Sequence, residues 1–345
     1  MPAEWEPHAA TWLAWPHAEG DFFDKLDTVR WTYVEMMRLL TPHERVRLLV
    51  PPGQQDLVRD RLAACRVAVE RVDLVEQSTD RSWTRDSLPL FVVPRSGAGE
   101  LAAVKWCFNG WARYPDHQLD DQAGEVVART YAREVFFPEY RRGAETLRVV
   151  LEGGAIDVDG EGTALVTERC LLGAPYQRNP GLAQGELEAL LRRYLGVVQL
   201  VWLPDGIAGD DTSGHVDDFA RFVAPGKVVV CAESASSSAN YAPLRRAREV
   251  LVRAHDAQGR ALDVVELPMP RTISFRGEVL PASYANFYVA NGLVLVPTFN
   301  DPNDRVALEV LSGVFPSRSV VGVHCTDLVV GLGALHCSTQ QEPFV

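Results

Sequence analysis

Residues 219–231 read "FARFVAPGKVVVC". Two β-rich arms flank Pro225-Gly226, the signature of a tight hairpin. The same pattern occurs three more times: "LFVVPRSGAGELAAVKW" (90–106, turning near Gly97 to Gly99), "AIDVDGEGTALVT" (155–167, at Asp159-Gly160) and "FYVANGLVLVP" (287–297, at Asn291-Gly292). The turns recur roughly every 65 residues, regularly enough to require a repeat.

A helix-like segment follows each hairpin: 120–134, 183–196, 241–256 and 302–315. Apolar residues in these segments fall three and four apart, as in Leu187, Leu190, Leu191 and Tyr194. A short β-rich run then closes every unit: "TLRVVL" (146–151), "VVQLVWL" (197–203), "LDVVEL" (262–267) and "SVVGV" (319–323). The unit is therefore hairpin, helix, strand. Near the N-terminus, "TWLAWP", "DTVRWTYVEMMRLL" and "VRLLV" supply part of a fifth unit that the chain's end can complete. A closed ring of such units buries each apolar face against its neighbours and leaves no terminal repeat exposed. The alternative from pattern alone is an open mixed α/β sheet, and one domain over residues 1–345 is the simpler division.

The 345 residues are 47% hydrophobic and 23% charged, an ordinary globular composition. The formal net charge of -12 disfavours nucleic acid and anionic membranes as partners and suits a small cation. The start "MPAEWEPHAATWLAWPH" lacks the basic and apolar regions of a signal peptide, and no apolar run approaches about 18 residues. The six cysteines are widely spread, unlike a disulfide framework, which predicts a reduced, cytoplasmic protein.

Charged residues fall in register within the repeat. "WTRDSLP" precedes the first hairpin, "LEGGAIDV" the second and "DDTSGHVDDF" the third, placing Asp86, Glu152, His215 and Asp217 at nearly the same offset before three successive turns. In a ring of similar units, equal offsets point to a common centre, so these side chains are expected to converge. The fourth unit carries Ser283 and Asn286 at that offset. Gly153-Gly154 and Gly214 suit close backbone approach at such a site.

Two chemistries use such a set. Imidazole and carboxylates bind zinc or iron, but no second close-spaced histidine accompanies "HVD", and the pairs His324-Cys325 and His336-Cys337 would point to opposite faces if they lay on strands. A guanidinium fits better. It stays protonated, so paired carboxylates must match its donor fork, a thiolate must attack its carbon, and a histidine must serve the departing ammonia and the incoming water.

The chain resembles the agmatine deiminases of the guanidine-modifying, pentein-fold superfamily along its whole length. The resemblance is carried by "MPAEWEPHAATWLAWPH", "WTRD", "FNGW", "EGGAIDVDGEG", "GHVDD", "LPASYANFYVANG", "VPTFNDPND" and "HCSTQQ". It implies a five-unit ββαβ propeller with pseudo-fivefold symmetry about a central active site, no cofactor and no metal. The implied reaction is hydrolysis of agmatine to N-carbamoylputrescine and ammonia, in a protein for which a homodimer is possible by analogy.

By the same resemblance Cys337 is the nucleophile, His215 the general acid and base, and Asp86 and Asp217 the clasp on the guanidinium nitrogens. Glu152 binds and orients the guanidinium, Asp211 looks towards the substrate's amine, and Trp83 walls the aliphatic chain. Two departures stand out. Leu88 in "RDSLP" replaces a glycine common in the family, which predicts a reshaped pocket entrance, and "DTS" (211–213) replaces the Glu-Thr-Asn of many relatives, so Asp211 is the shorter acid. Deimination of arginine, peptidyl arginine or another guanidino compound is the alternative within the class. Amidino transfer and a non-catalytic binding protein on the same fold lie further off. Cys107, Cys231 and Cys325 are read as buried packing thiols, and His336 as a neighbour of Cys337 that faces away from the site.

Overall fold

The computed structural model describes residues 1–94 and 99–345. The hairpin at 219–231 forms strands Ala220–Ala224 and Lys227–Ala232, antiparallel, with Ala224 opposite Lys227 so that Pro225-Gly226 is the whole turn. Gly226 takes φ 70°, a conformation that costs a residue with a Cβ. Helix Tyr241–Arg253 follows, burying Leu244, Ala247 and Leu251. Strand Asp263–Pro268 then returns parallel to Lys227–Ala232, the arrangement a helical crossover permits.

The same pairing recurs. Ile156–Val158 and Thr163–Thr167 form the next hairpin, Gln184–Leu195 the helix and Gln199–Leu203 the parallel strand. Tyr288–Ala290, Leu293–Thr298, Asn303–Val314 and Ser319–His324 repeat it. At the termini, Gln340–Pro343 lies antiparallel to His8–Ala14, helix Leu26–Leu40 crosses, and Arg45–Val50 pairs parallel with His8–Ala14. Val72–Glu76 adds a fourth strand to that sheet. The first and last segments thus share one sheet. Glu342 fastens them further, accepting from Trp12 Nε1 at 2.9 Å and from Arg47 at 2.9 Å.

One expected strand belongs elsewhere. In the unit of Leu90–Val92, Ala102–Val104 and helix Gln118–Tyr131, the returning parallel strand is Glu134–Phe136, directly after the helix. "TLRVVL" instead contributes Glu145–Arg148 to a separate hairpin with Glu139–Arg142, because Gly143 at φ 62° turns the chain back on itself. The turn expected near Gly97 to Gly99 falls partly on residues 95–98, outside the described residues. Leu88 does not shape an entrance. It is buried among Trp12, Leu49 and Phe91, so its side chain serves the core.

Mixed α/β architecture with several small sheets results, each middle strand buried on both faces, as at Val228, Val229 and Val230. What matters for function is the position of three short segments that enter the hairpins: Thr84–Ser87, Gly153–Ala155 and Val216–Asp218. Gly153–Ala155 packs against both of the others. No helix among the described residues is long and apolar enough to cross a membrane.

Helix Gln184–Leu195 ends on Gly196 in the left-handed region at φ 73°, where an added Cβ would meet nothing within 4 Å. Gly196→Ala isolates backbone strain from packing. It is expected to cost about 1 kcal/mol, read as a lower midpoint in urea unfolding at unchanged slope.

Candidate active site

The three entry segments bring the in-register acids and the histidine together. His215 Nδ1 lies 3.8 Å from Asp86 Oδ1 and 3.9 Å from Asp217 Oδ1, and its Nε2 lies 3.8 Å from Glu152 Oε2. None of these side chains is more than 3% exposed, so the cluster is effectively dry. Gly154 makes the approach possible: a Cβ there would stand 2.5 Å from His215 Nδ1 and 2.9 Å from Asp86 Oδ1. Its backbone N–H instead donates to Asp86 Oδ1 at 3.0 Å, and Trp111 Nε1 donates to Asp86 Oδ2 at 2.9 Å. Among the described residues, both nitrogens of His215, Glu152 Oε2 and Asp217 Oδ1 have no hydrogen-bond partner. Buried polar atoms without partners are costly, and a cluster of them marks a place built for something else to bind.

Cys337 reaches the same place from the far end of the chain. Its Sγ lies 3.9 Å from Asp217 Oδ2 and receives Asn286 Nδ2 at 3.1 Å. Asn286 Oδ1 in turn accepts from the backbone N–H groups of His336 and Cys337 at 3.0 and 3.3 Å, fixing the segment that carries the thiol. That segment is a tight turn, with Ser338 N bonded to Ala334 O and Thr339 N to His336 O. The expectation for His336 rested on strand geometry and is overturned for this reason. In a turn, neighbouring side chains do not alternate between faces, and His336 faces the cluster with Nδ1 2.6 Å from Asp217 Oδ2.

A cavity of about 460 Å³ opens above this cluster, lined by Trp83, Asp86, Trp111, Tyr114, Asp211 and Cys337 among others. Glu152, His215 and Asp217 are fully buried and do not line it. Trp83 packs on Phe22 at 5.9 Å and needs Gly331 and Gly333 opposite, where a Cβ would come within 2.9 and 2.8 Å of its ring. Asp211 reaches the wall with both oxygens engaged, one by Arg113 at 2.6 Å and the other by the Tyr114 hydroxyl. Cys231 and Cys325 are buried as expected, whereas Cys107 is only half-buried.

Arg178 was not legible beforehand. It lies in an irregular stretch with no periodic or motif signal, yet its buried guanidinium donates to Glu152 Oε1 at 2.6 Å, Tyr176 O at 2.8 Å and Thr212 O at 2.5 Å. Burial would raise the Glu152 carboxyl, but Arg178 and His215 hold it down at about 2. Burial likewise opposes ionisation of Asp217, and His336, His215 and Arg221 outweigh it. Asp86 is raised above the ordinary carboxylate range, by burial first and by Asp217 and Glu152 beside it, with His215 opposing. Burial would discharge His215, yet Asp86, Cys170 and Glu152 around it raise its pKa well above the usual imidazole value. Cys337 is pushed well above the ordinary thiol value by burial and then by Asp217, Asp218 and Asp86.

Two groups among the described residues could hold a metal: Glu152 with Cys170 and His215, and Asp217 with Asp218 and Cys337, each set within 4.8 Å. At the first, Arg178 already supplies the cation.

A thiol, an imidazole and three carboxylates gathered beneath one cavity of a mixed α/β scaffold define the class as that of the guanidine-modifying enzymes. The chain belongs to the Porphyromonas-type peptidyl-arginine deiminase family, whose model matches residues 1–343. Within it, the chain is 37% identical to agmatine deiminases of Stutzerimonas stutzeri and Pseudomonas aeruginosa, the alignments covering 99% of this chain and 95% of each relative. Among solved structures it is similar to the agmatine deiminase of Enterococcus faecalis (TM-score 0.88, 32% identity, 99% and 95% of the two chains). It is also similar to a cysteine-to-serine variant of C. jejuni agmatine deiminase with substrate bound (TM-score 0.84, 27% identity, 99% and 95%).

Because the folded environment favours the thiol, alkylation of Cys337 by iodoacetamide is expected to keep accelerating with pH beyond about 8.5, the ordinary cysteine value. Peptide-level mass spectrometry across the pH range measures it. A plateau reached below that value would mean a thiolate already held at rest.

Proposed function

We propose that this protein is an agmatine deiminase that hydrolyses the guanidinium to N-carbamoylputrescine and ammonia through a covalent thiouronium on Cys337. The observation that carries this function is the set of partnerless, solvent-sealed acceptors of Glu152 and Asp217 beside His215, a few ångströms from the thiol. Ionised carboxylate oxygens in a dry site call for a cation with several fixed donors, and a guanidinium has that form. The named relatives agree with that chemistry.

In the proposed sequence Asp86 and Asp217 clasp the terminal nitrogens and Glu152 orients the group beside His215. The bound cation offsets the carboxylates that keep Cys337 protonated, so the thiolate forms when substrate is present, its proton passing to solvent, where it later makes ammonium of the released ammonia. Sγ attacks the central carbon, and the C–N bond to one terminal nitrogen breaks as His215 donates its proton, releasing ammonia. Water then attacks the thiouronium carbon with His215 taking its proton. The C–S bond breaks as the carbonyl forms, and the remaining hydroxyl proton passes to the departing sulfur, which restores the resting thiol while His215 stays protonated for the next cycle. Trp83 and Trp111 wall the aliphatic chain, and Asp211 gives negative potential to the end of the cavity that receives the ammonium. Arg113 and Tyr114 each engage one of its oxygens and hold the short Asp211 side chain at the wall, so it meets the ammonium through water.

The same proposal takes residues 1–345 as one pentein-type domain whose five units close about the site, in a cytoplasmic protein able to form a homodimer. Five sheets with the same antiparallel-then-parallel pairing support the first part, and six free cysteines the second.

Ammonia release from agmatine, arginine and a peptidyl arginine measures the substrate. Agmatine is expected to exceed the others in kcat/KM by at least about 100-fold, the scale on which a site rejects a misplaced charged group. Equal turnover of all three, or none of agmatine, counts against the assignment. Cys337→Ser is expected to abolish turnover, and His215→Asn to leave a thiouronium adduct on Cys337 visible by intact-protein mass spectrometry.

A further inference from the structure

His336 and Glu4 lie outside the set that the proposed reaction uses, yet they are wired into it. His336 Nδ1 is 2.6 Å from Asp217 Oδ2, and its Nε2 is 2.7 Å from Glu4 Oε2. Glu4 arrives from the opposite end of the chain and is held on every side. Arg221 Nη2 lies 2.9 Å and Arg85 Nη2 3.4 Å from its Oε2, and the backbone N–H of Val289 donates to its Oε1 at 2.7 Å. Arg221 is itself pinned by Asp157 at 2.5 Å and by Phe287 O at 2.9 Å. Glu4, His336 and Asp217 are all buried.

We propose that Glu4 and His336 are positioning residues for Asp217, with His336 donating from both ring nitrogens so that one oxygen of Asp217 is tethered and the other is presented to the guanidinium. An aspartate's terminal torsion is broad and nearly two-fold, so an untethered Asp217 would offer either oxygen in many orientations. Tethering Oδ2 removes that freedom and leaves Oδ1, the partnerless atom, facing His215 at 3.9 Å. Two ionised carboxylates in line with one ring are both satisfied when that ring carries two N–H donors, the form this arrangement uses. Glu4, fixed between two arginines and a backbone N–H, keeps the Nε2 proton in place. Burial opposes the ionisation of Glu4, but Arg221, His336 and Arg85 hold its carboxyl well below the ordinary range. The arrangement matches the support that a metal-bound histidine receives from an outer carboxylate, with Asp217 in place of the metal.

The inference rests on the proposed role of Asp217 in holding guanidinium, and a mutant cycle tests it. His336→Gln is expected to lower kcat for agmatine by about 10- to 100-fold, as loss of such a support does. In an Asp217→Asn background the same change is expected to alter kcat by less than about threefold, because the two residues act as one unit. Additive losses, or an unchanged kcat in the single variant, overturn the proposal. Glu4→Gln, which keeps the side chain's shape, enters the same cycle with the same expected outcome should His336→Gln fail to fold. An independent arm needs no substrate. Nitrogen-15 spectra of histidine-labelled protein should show a His336 ring with both N–H signals, assigned by their loss in His336→Gln, and Glu4→Gln should remove the Nε2–H signal. A singly protonated His336 in the wild type sinks the inference, whereas a wild type that shows the doubly protonated ring but does not turn over agmatine sinks only the substrate assignment.

Discussion

Burying several carboxylates within a few ångströms of one another is the constraint around which the rest of this molecule is arranged. Asp86, Glu152 and Asp217 meet almost wholly buried, with Asp157 and Glu4 close by, and isolated ionised carboxylates there would be expelled or protonated. The fold answers with fixed cations, Arg178 on Glu152, Arg221 between Asp157 and Glu4, and Arg85 on Glu4, while the His336 ring bridges Glu4 and Asp217. Compensation stops short of the centre. His215 and the nearest carboxylate oxygens keep lone pairs and protons unused, and that residual imbalance is what a bound cation relieves.

The thiol is subject to the same field with the opposite consequence. Carboxylates that attract a cation also discourage a thiolate, so Asp217, Asp218 and Asp86 together with burial favour the Cys337 thiol, and in the proposed reaction the thiolate forms when positive charge arrives beside it. Asn286, donating to Sγ while its carbonyl holds the backbone of residues 336 and 337, fixes the sulfur's position without supplying the missing charge.

Much of this was legible because the repeat places like residues at like offsets. The hairpins at Pro225-Gly226 and Asn291-Gly292 form where turn chemistry puts them, and the gathering of Asp86, Glu152, His215 and Asp217 follows from register alone. Three elements were misjudged for local reasons. "TLRVVL" has strand composition but is captured by a hairpin at Gly143, while the short Glu134–Phe136 completes the sheet. Leu88 is drawn into the core with Trp12, Leu49 and Phe91 and does not line the cavity. His336 was placed by strand alternation in a segment that is a turn.

The sequence by itself determined the repeating unit and which acids and base share a centre, since periodicity, turn residues and offset are local properties of the chain. Tertiary structure alone decided which charge answers which. Arg178 reaches Glu152 from a segment without periodicity. Glu4 and His336 come from opposite ends of the chain and meet only because Gln340–Pro343 pairs with His8–Ala14. Ion pairs between distant segments depend on where the backbones end up, to within an ångström, and no spacing along the chain encodes that distance.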